Sequence, residues 1–180
     1  MIKQPGQWET CIRVWASLGI VCAIAGGSGG TAFAQVTTTA QLLRKSGPEL
    51  DDLYRLGSAV AIPPGRVRGT AILAPGTGRN GILALGTRAI WQGKVIDPGG
   101  SLAVNRFFGL PVVRAAVYQD HSWLDGGPAL ILDYSQTSRI YAQNRDEIRQ
   151  IAPGLYLGLM YARTAPRPTL CMYFVLQTVP

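Results

Sequence analysis

From Gly57 onward the chain alternates short apolar runs with glycine and proline breaks. Pro63-Pro64-Gly65, Pro75-Gly76, Pro98-Gly99-Gly100, Gly109-Leu110-Pro111, Asp125-Gly126-Gly127 and Pro153-Gly154 punctuate it. Between them lie seven runs of strand length: 66–73, 90–96, 102–108, 112–118, 129–134, 155–162 and 170–177. Short strands with frequent turn signals predict a β-sandwich or barrel. Period-2 alternation assigns the faces. Arg114 and Tyr118 fall with Val112 and Ala116, opposite Val113, Ala115 and Val117. Lys94 falls with Ile90 and Ile96, opposite Trp91 and Val95. Asp133 falls with Ile131, opposite Leu130, Leu132 and Tyr134. Both faces are mostly apolar, which fits a closed barrel whose outside is partly covered. The fold expected is mainly β: a small antiparallel barrel or half-barrel of about seven or eight strands, with short N-terminal helices.

Two segments have other periods. Residues 80–89 fit a helix. Residues 136–151 are ambiguous: Ile140, Tyr141, Asn144, Ile148 and Ile151 match one helical stripe, while S-R-I-Y-A extends the preceding strand. The reading adopted is an extended start followed by a helical turn that ends at Pro153-Gly154. Before the barrel, 40–45 and 49–56 predict two helices separated by Ser46-Gly47-Pro48. Glu49, Asp51 and Asp52 suit the positive end of the second.

The first 34 residues read as a leader. Lys3 and Arg13 precede the apolar run V-W-A-S-L-G-I-V-C-A-I-A, and Ala32-Phe33-Ala34 has the form of a cleavage site. Val21 before Cys22 argues against a lipid-modified form. The expected organisation is a signal peptide at 1–34, an arm with short helices at 35–57 and one barrel-like domain at 58–180. The mature protein would be periplasmic or secreted. Cleavage removes Cys11 and Cys22 and leaves Cys171, expected as a small buried hydrophobe with no intrachain disulfide.

The net charge of +7 comes mostly from arginine, scattered along the chain. No basic stripe of the nucleic-acid type is present, so no nucleic-acid partner is expected. A lone His121 and a single cysteine outside the leader are too few for a zinc site. No G-x-S-x-G elbow and no nucleotide-binding glycine pattern follows a strand. Neither a metal nor a cofactor is expected, and no residue is assigned as catalytic. Asp120 and Asp125 read as turn residues, and Asp146 and Glu147 as local partners of Arg145 and Arg149. The many aromatics suit a pocket for a ligand with a greasy body and a polar head.

Trp91-Gln92-Gly93-Lys94, N-R-F-F-G (105–109), S-W-L-D-G (122–126), L-D-Y-S-Q-T-S (132–138) and R-D-E-I-R-Q-I-A-P-G-L-Y-L-G (145–158) resemble an uncharacterised family of exported bacterial proteins. More loosely, the order is similar to lipocalin-like (calycin) proteins of the G-x-W-x-G type. Gly65-Arg66-Val67-Arg68-Gly69 has the glycine spacing, with Val67 where those proteins carry Trp. That resemblance implies a barrel holding one hydrophobic ligand. The expected activity is binding of a lipid or other apolar or anionic small molecule. The alternatives are a structural or envelope-interaction domain with a filled core, and an acid–base enzyme acting on a lipid-like substrate. The expected ligand-binding residues are Trp91, Lys94, Asn105, Tyr118, Trp123, Tyr134 and Arg145. A structural network is expected from Asp133, Arg149 and Asp146, with Asp133 paired to Arg145 or Arg149.

If the leader is removed as its pattern predicts, intact-mass measurement on protein from its native host will give a chain that begins at Gln35. A mass that retains the first 34 residues contradicts this.

Overall fold

A computed structural model of the chain describes residues 38–179. The leader, its cleavage triplet, Cys11 and Cys22 lie outside the described residues. Two short helices come first, α1 (Thr39–Leu42) and α2 (Gly47–Leu56). Strand β1 (Gly65–Ile72) is followed by helix α3 (Asn80–Ile90), which runs directly into β2 (Trp91–Ile96). Then come β3 (Leu102–Phe107), β4 (Leu110–His121), β5 (Pro128–Asp133), β6 (Asn144–Ala152), β7 (Leu155–Ala162) and β8 (Thr169–Thr178). Each strand pairs antiparallel with the next, and β8 pairs back onto β1, so the eight strands form a closed barrel. Closure leaves no exposed sheet edge, and it settles the choice between barrel and half-barrel.

Alternation along each strand makes two apolar layers, one on each side of the wall. Inside are Val67, Trp91, Ala103, Ala115, Leu132, Tyr134, Met160 and Phe174, among others. Ile62, just before β1, packs with this inner set. Outside, Ile131, Leu157, Tyr173 and Val175 lie under Leu42, Leu50, Leu53 and Tyr54 of α1 and α2. Helix α2 starts where the sequence signals it. The Glu49 carboxylate receives the Ser46 N–H at 2.9 Å and hydroxyl at 2.7 Å, and the Lys45 ammonium at 2.8 Å. These bonds satisfy groups that a helix start leaves unpaired and hold the Glu49 carboxyl down at about 2.

The segment 136–151 is corrected. Its second half is strand β6, paired on one side with β5 and on the other with β7. The helical stripe loses to barrel closure, because only a strand there satisfies the backbone groups of both neighbours. What remains, 134–143, is a loop of turns across one end of the barrel. Cys171 is also corrected. It is half-buried and its sulfur is disulfide-bonded.

In β2, strict alternation breaks down. The register with β3 shifts between Trp91 and Gly93, and Gly93 takes φ of 111°. This bulge turns Trp91 and Lys94 to the same side, the inside, where plain alternation placed them on opposite faces. A Cβ on Gly93 would collide with the Val67 carbonyl and the Gly69 amide. One on Gly69 would stand 2.6 Å from the Trp91 ring. The indole thus fills the space over Gly69 and meets Phe174 edge-on at 5.8 Å.

Gly93→Ala carries both the positive-φ strain and a backbone clash. It should therefore cost at least about 2 kcal/mol, read as a drop in Tm. Unchanged stability would mean that the bulge is absent.

Candidate functional site

Lys94 is 1% exposed, deep inside an apolar barrel. A charge there costs several kcal/mol unless it is paired and hydrogen-bonded. Its three ammonium hydrogens meet three acceptors: Asn105 Oδ1 at 2.7 Å, Tyr134 Oη at 2.8 Å and Asp146 Oδ2 at 3.0 Å. The partners are themselves linked. Tyr134 donates to Asp146 Oδ2 at 2.7 Å and accepts from Asn105 Nδ2 at 2.9 Å. The Trp91 indole N–H donates to Asn105 Oδ1 at 3.0 Å. Rings of Trp91, Tyr134 and Phe174 surround the ammonium at 5.4–5.6 Å, adding cation–π attraction.

Strand register produces this meeting. Lys94 pairs directly with Asn105, and Leu132 with Asp146, which in turn pairs with Met160. Tyr134 follows β5 with its side chain inward. Burial pushes the Lys94 ammonium below its ordinary range, and Asp146 opposes that shift. Burial, with the Asp146 charge beside it, raises the Tyr134 hydroxyl far above its usual value. The phenol therefore stays protonated and can donate. Nothing among the described residues donates to Asp146 Oδ1.

The quartet borders a cavity of about 30 Å³, walled by Phe107, Met160, Met172 and Phe174. That volume admits a water molecule or two, far short of the several hundred Å³ of a typical ligand pocket. Tyr141, from the 134–143 loop, closes it. Its ring stacks on Phe107 at 6.0 Å and lies 5.8 Å from Tyr134. Burial and the Asp146 charge push the Tyr141 hydroxyl up to about 12.

Of the residues expected to bind ligand, Trp91, Lys94, Asn105 and Tyr134 come together here. Asp146, expected to pair locally with arginine in the structural network, joins them, because alternation in β6 sends it inward while its neighbours point out. The other three do not. Tyr118 is 41% exposed on the outer wall, donating to Asp133 at 2.8 Å. Trp123 and Arg145 are also outside, the guanidinium lying 4.3 Å over the indole. Phe107, Met160, Met172 and Phe174 were missed. Nothing local in the sequence marks them, since it is barrel closure that places them.

Asp133 does not pair with Arg145 or Arg149. It accepts from Arg163 at 2.8 Å, from the Tyr118 hydroxyl and from the Ser135 N–H. Burial pushes its carboxyl up, but these bonds outweigh it and hold the group at about 2. The arginines of β6 brace a different loop. Arg149 grips Asp125 with two bonds, at 2.7 and 2.8 Å, and lies 4.5 Å from the Tyr54 ring. Glu147 is fully buried and accepts from the Ser122 hydroxyl and the Trp123 N–H. Burial raises its carboxyl above the usual range, while those bonds and the two arginines oppose the shift. Arg145 donates to the His121 carbonyl at 2.7 Å and lies 3.5 Å from both Asp120 and Glu147. The S-W-L-D-G loop and Arg145, Glu147 and Arg149 of β6 thus form one clamp on the outer wall, while Trp91, Lys94, Tyr134 and Asp146 belong to the inner site.

No family model matches the sequence, and no curated protein does. Among solved structures, a crystal structure of a protein from Thermomonospora curvata is similar, with a TM-score of 0.46 and 19% identity. The alignment covers 75% of this chain and 88% of that one.

Lys94→Met should strand the Asp146 carboxylate in the barrel and cost about 3–5 kcal/mol. Adding Asp146→Leu removes the stranded charge and should restore most of the lost Tm. A single variant as stable as wild type would contradict the buried pair.

Proposed function

We propose that the barrel binds a small apolar molecule carrying a hydrogen-bond-donating head, such as a hydroxyl, and that it does so after export. One observation carries this reading. The polar quartet of the barrel interior borders the gap left among Phe107, Met160, Met172 and Phe174, beneath a cover made by a loop instead of a strand. The apolar walls take the body of the ligand. All three Lys94 hydrogens are already committed, so an added anion would find no free donor. Asp146 Oδ1 keeps its lone pairs, so a hydroxyl has an acceptor waiting. Admission of anything larger than water requires Tyr141 to leave its stack on Phe107, and the loop that carries it has no strand pairing to break. Arg145, on the outer wall, takes no part.

A second reading rests on the same cavity. At about 30 Å³, the interior is nearly filled and the quartet is nearly self-satisfied. That suits a structural or envelope-interaction domain whose buried network fixes strand register.

Calorimetric titration with decanol and decanoate separates the two. The binding reading expects decanol to bind more tightly than decanoate, and Tyr141→Ala to bind it faster. The Lys94→Met/Asp146→Leu double variant, which lacks the acceptor, should bind it roughly 10- to 100-fold more weakly. If neither wild type nor Tyr141→Ala binds either probe, the filled-core reading replaces this one.

A further inference from the structure

The barrel end that carries the cavity is unusual on its outside as well. The segments of its rim are 75–90, 106–111, 134–143 and 163–168. They contain Arg79, Arg88, Arg106, Arg139, Arg163 and Arg167 and no Asp or Glu. Two carboxylates beside the rim are already paired, Asp133 with Arg163 and Glu49, next to Gly76, with Lys45. The same rim presents large apolar side chains to solvent: Ile82 at 78% exposure, Ile140 at 74%, Leu85 at 71%, Phe108 at 64% and Leu110 at 63%.

Helix α3 is inverted relative to an ordinary surface helix. It turns Asn80, Ala84 and Thr87 onto the barrel and Ile82 and Leu85 outward. Its inner face is held by polar contacts. Asn80 accepts from the Ala74 N–H at 2.9 Å and donates to the Leu43 carbonyl at 3.2 Å. The β3–β4 hairpin tip is tied to the end of this helix. The Phe108 N–H donates to the Ile90 carbonyl at 2.8 Å, and the Gly109 N–H to Gln92 Oε1 at 2.9 Å. Phe108 itself stands at φ of 51°, a strained conformation for an aromatic residue. It is held there with its ring in solvent.

Burial of apolar surface drives folding, so a helix and a hairpin that both display it, ringed by arginines of which Arg163 alone is paired with a carboxylate among the described residues, are built to meet something. We propose that this rim docks on an anionic phospholipid surface, mouth towards the bilayer. Phe108, Leu110, Ile82 and Leu85 would enter the interfacial layer while the arginines meet lipid phosphates. Charge complementarity favours a lipid surface. The arginines are spread around a ring, as a planar array of phosphates requires, and the apolar side chains project between them. The proposal stands on the rim alone, but it also gives the cavity its source of apolar ligand.

The test is sedimentation of the full chain with phosphatidylcholine vesicles, with and without phosphatidylglycerol. Wild type should bind the anionic vesicles and release them at high salt. Arg88→Gln/Arg106→Gln should weaken binding by on the order of tenfold or more. Leu85→Ser/Phe108→Ser should weaken it while keeping its salt dependence. Decanol titration of these variants should match wild type, so failure of the rim and failure of the cavity are told apart. Vesicle binding that the rim variants leave unchanged, or that needs no anionic lipid, overturns the proposal. So does binding to soluble polyglutamate without binding to vesicles, which would assign the rim to an acidic protein.

Discussion

A lysine ammonium inside a closed barrel must be neutralised within reach of its own side chain, and this requirement ties five strands together. Lys94 comes from β2, Asn105 from β3, Tyr134 from the end of β5 and Asp146 from β6, with Phe174 of β8 closing over the ammonium. Slipping any of these strands by one residue would turn its contribution to the outer wall and leave a charge or a hydroxyl alone in the core. An apolar interior of the same volume would tolerate such slips far better. The network therefore selects one register, and the Gly93 bulge is part of that selection. Without it, Trp91 and Lys94 could not both face inward.

Strand β6 carries the matching constraint on both sides of the wall. Asp146 points in to Lys94. Glu147 and the flanking Arg145 and Arg149 point out to the 122–127 loop. Arg145, Asp146, Glu147 and Arg149 thus anchor the inner site, the β4–β5 connection and, through Tyr54, helix α2. The outer clamp is a brace: its carboxylates and guanidiniums are consumed by one another and by backbone groups. The inner quartet differs because it borders open space and retains one free acceptor. Substitutions in the clamp should therefore act on stability alone, and those in the quartet on stability and on what the cavity holds.

The seven apolar runs named the seven strands that bear them, because a buried strand must be apolar wherever it lies. Strand β6 escaped because its six N-terminal residues, N-R-D-E-I-R, are nearly all polar. They are buried only because partners from distant strands meet them. Local pattern cannot report partners 50 residues away, and Lys94 and Asp146 are that far apart. The same limit explains the pairing of Asp133. Its nearest arginines in sequence were Arg139 and Arg145, yet Arg163, carried next to it by the β7–β8 connection, takes the bond. Trp91, Lys94, Asn105 and Tyr134 were legible as polar or amphipathic residues on oily strands. Tyr118, Trp123 and Arg145 have the same local character, and only the barrel's inside and outside tell the two groups apart. The rim arginines looked scattered for a related reason: four separate connections bring them to one end.

The central claim is that Lys94 is a charged, fully hydrogen-bonded ammonium enclosed by aromatic rings. Nitrogen-15 NMR of the lysine side chains measures this directly. The account predicts one ammonium signal at neutral pH with slowly exchanging protons and through-space contacts to the Trp91, Tyr134 and Phe174 rings. That signal should vanish in Lys94→Met/Asp146→Leu. A Lys94 amine that exchanges as fast as the half-exposed Lys45, with no aromatic contacts, would contradict the account.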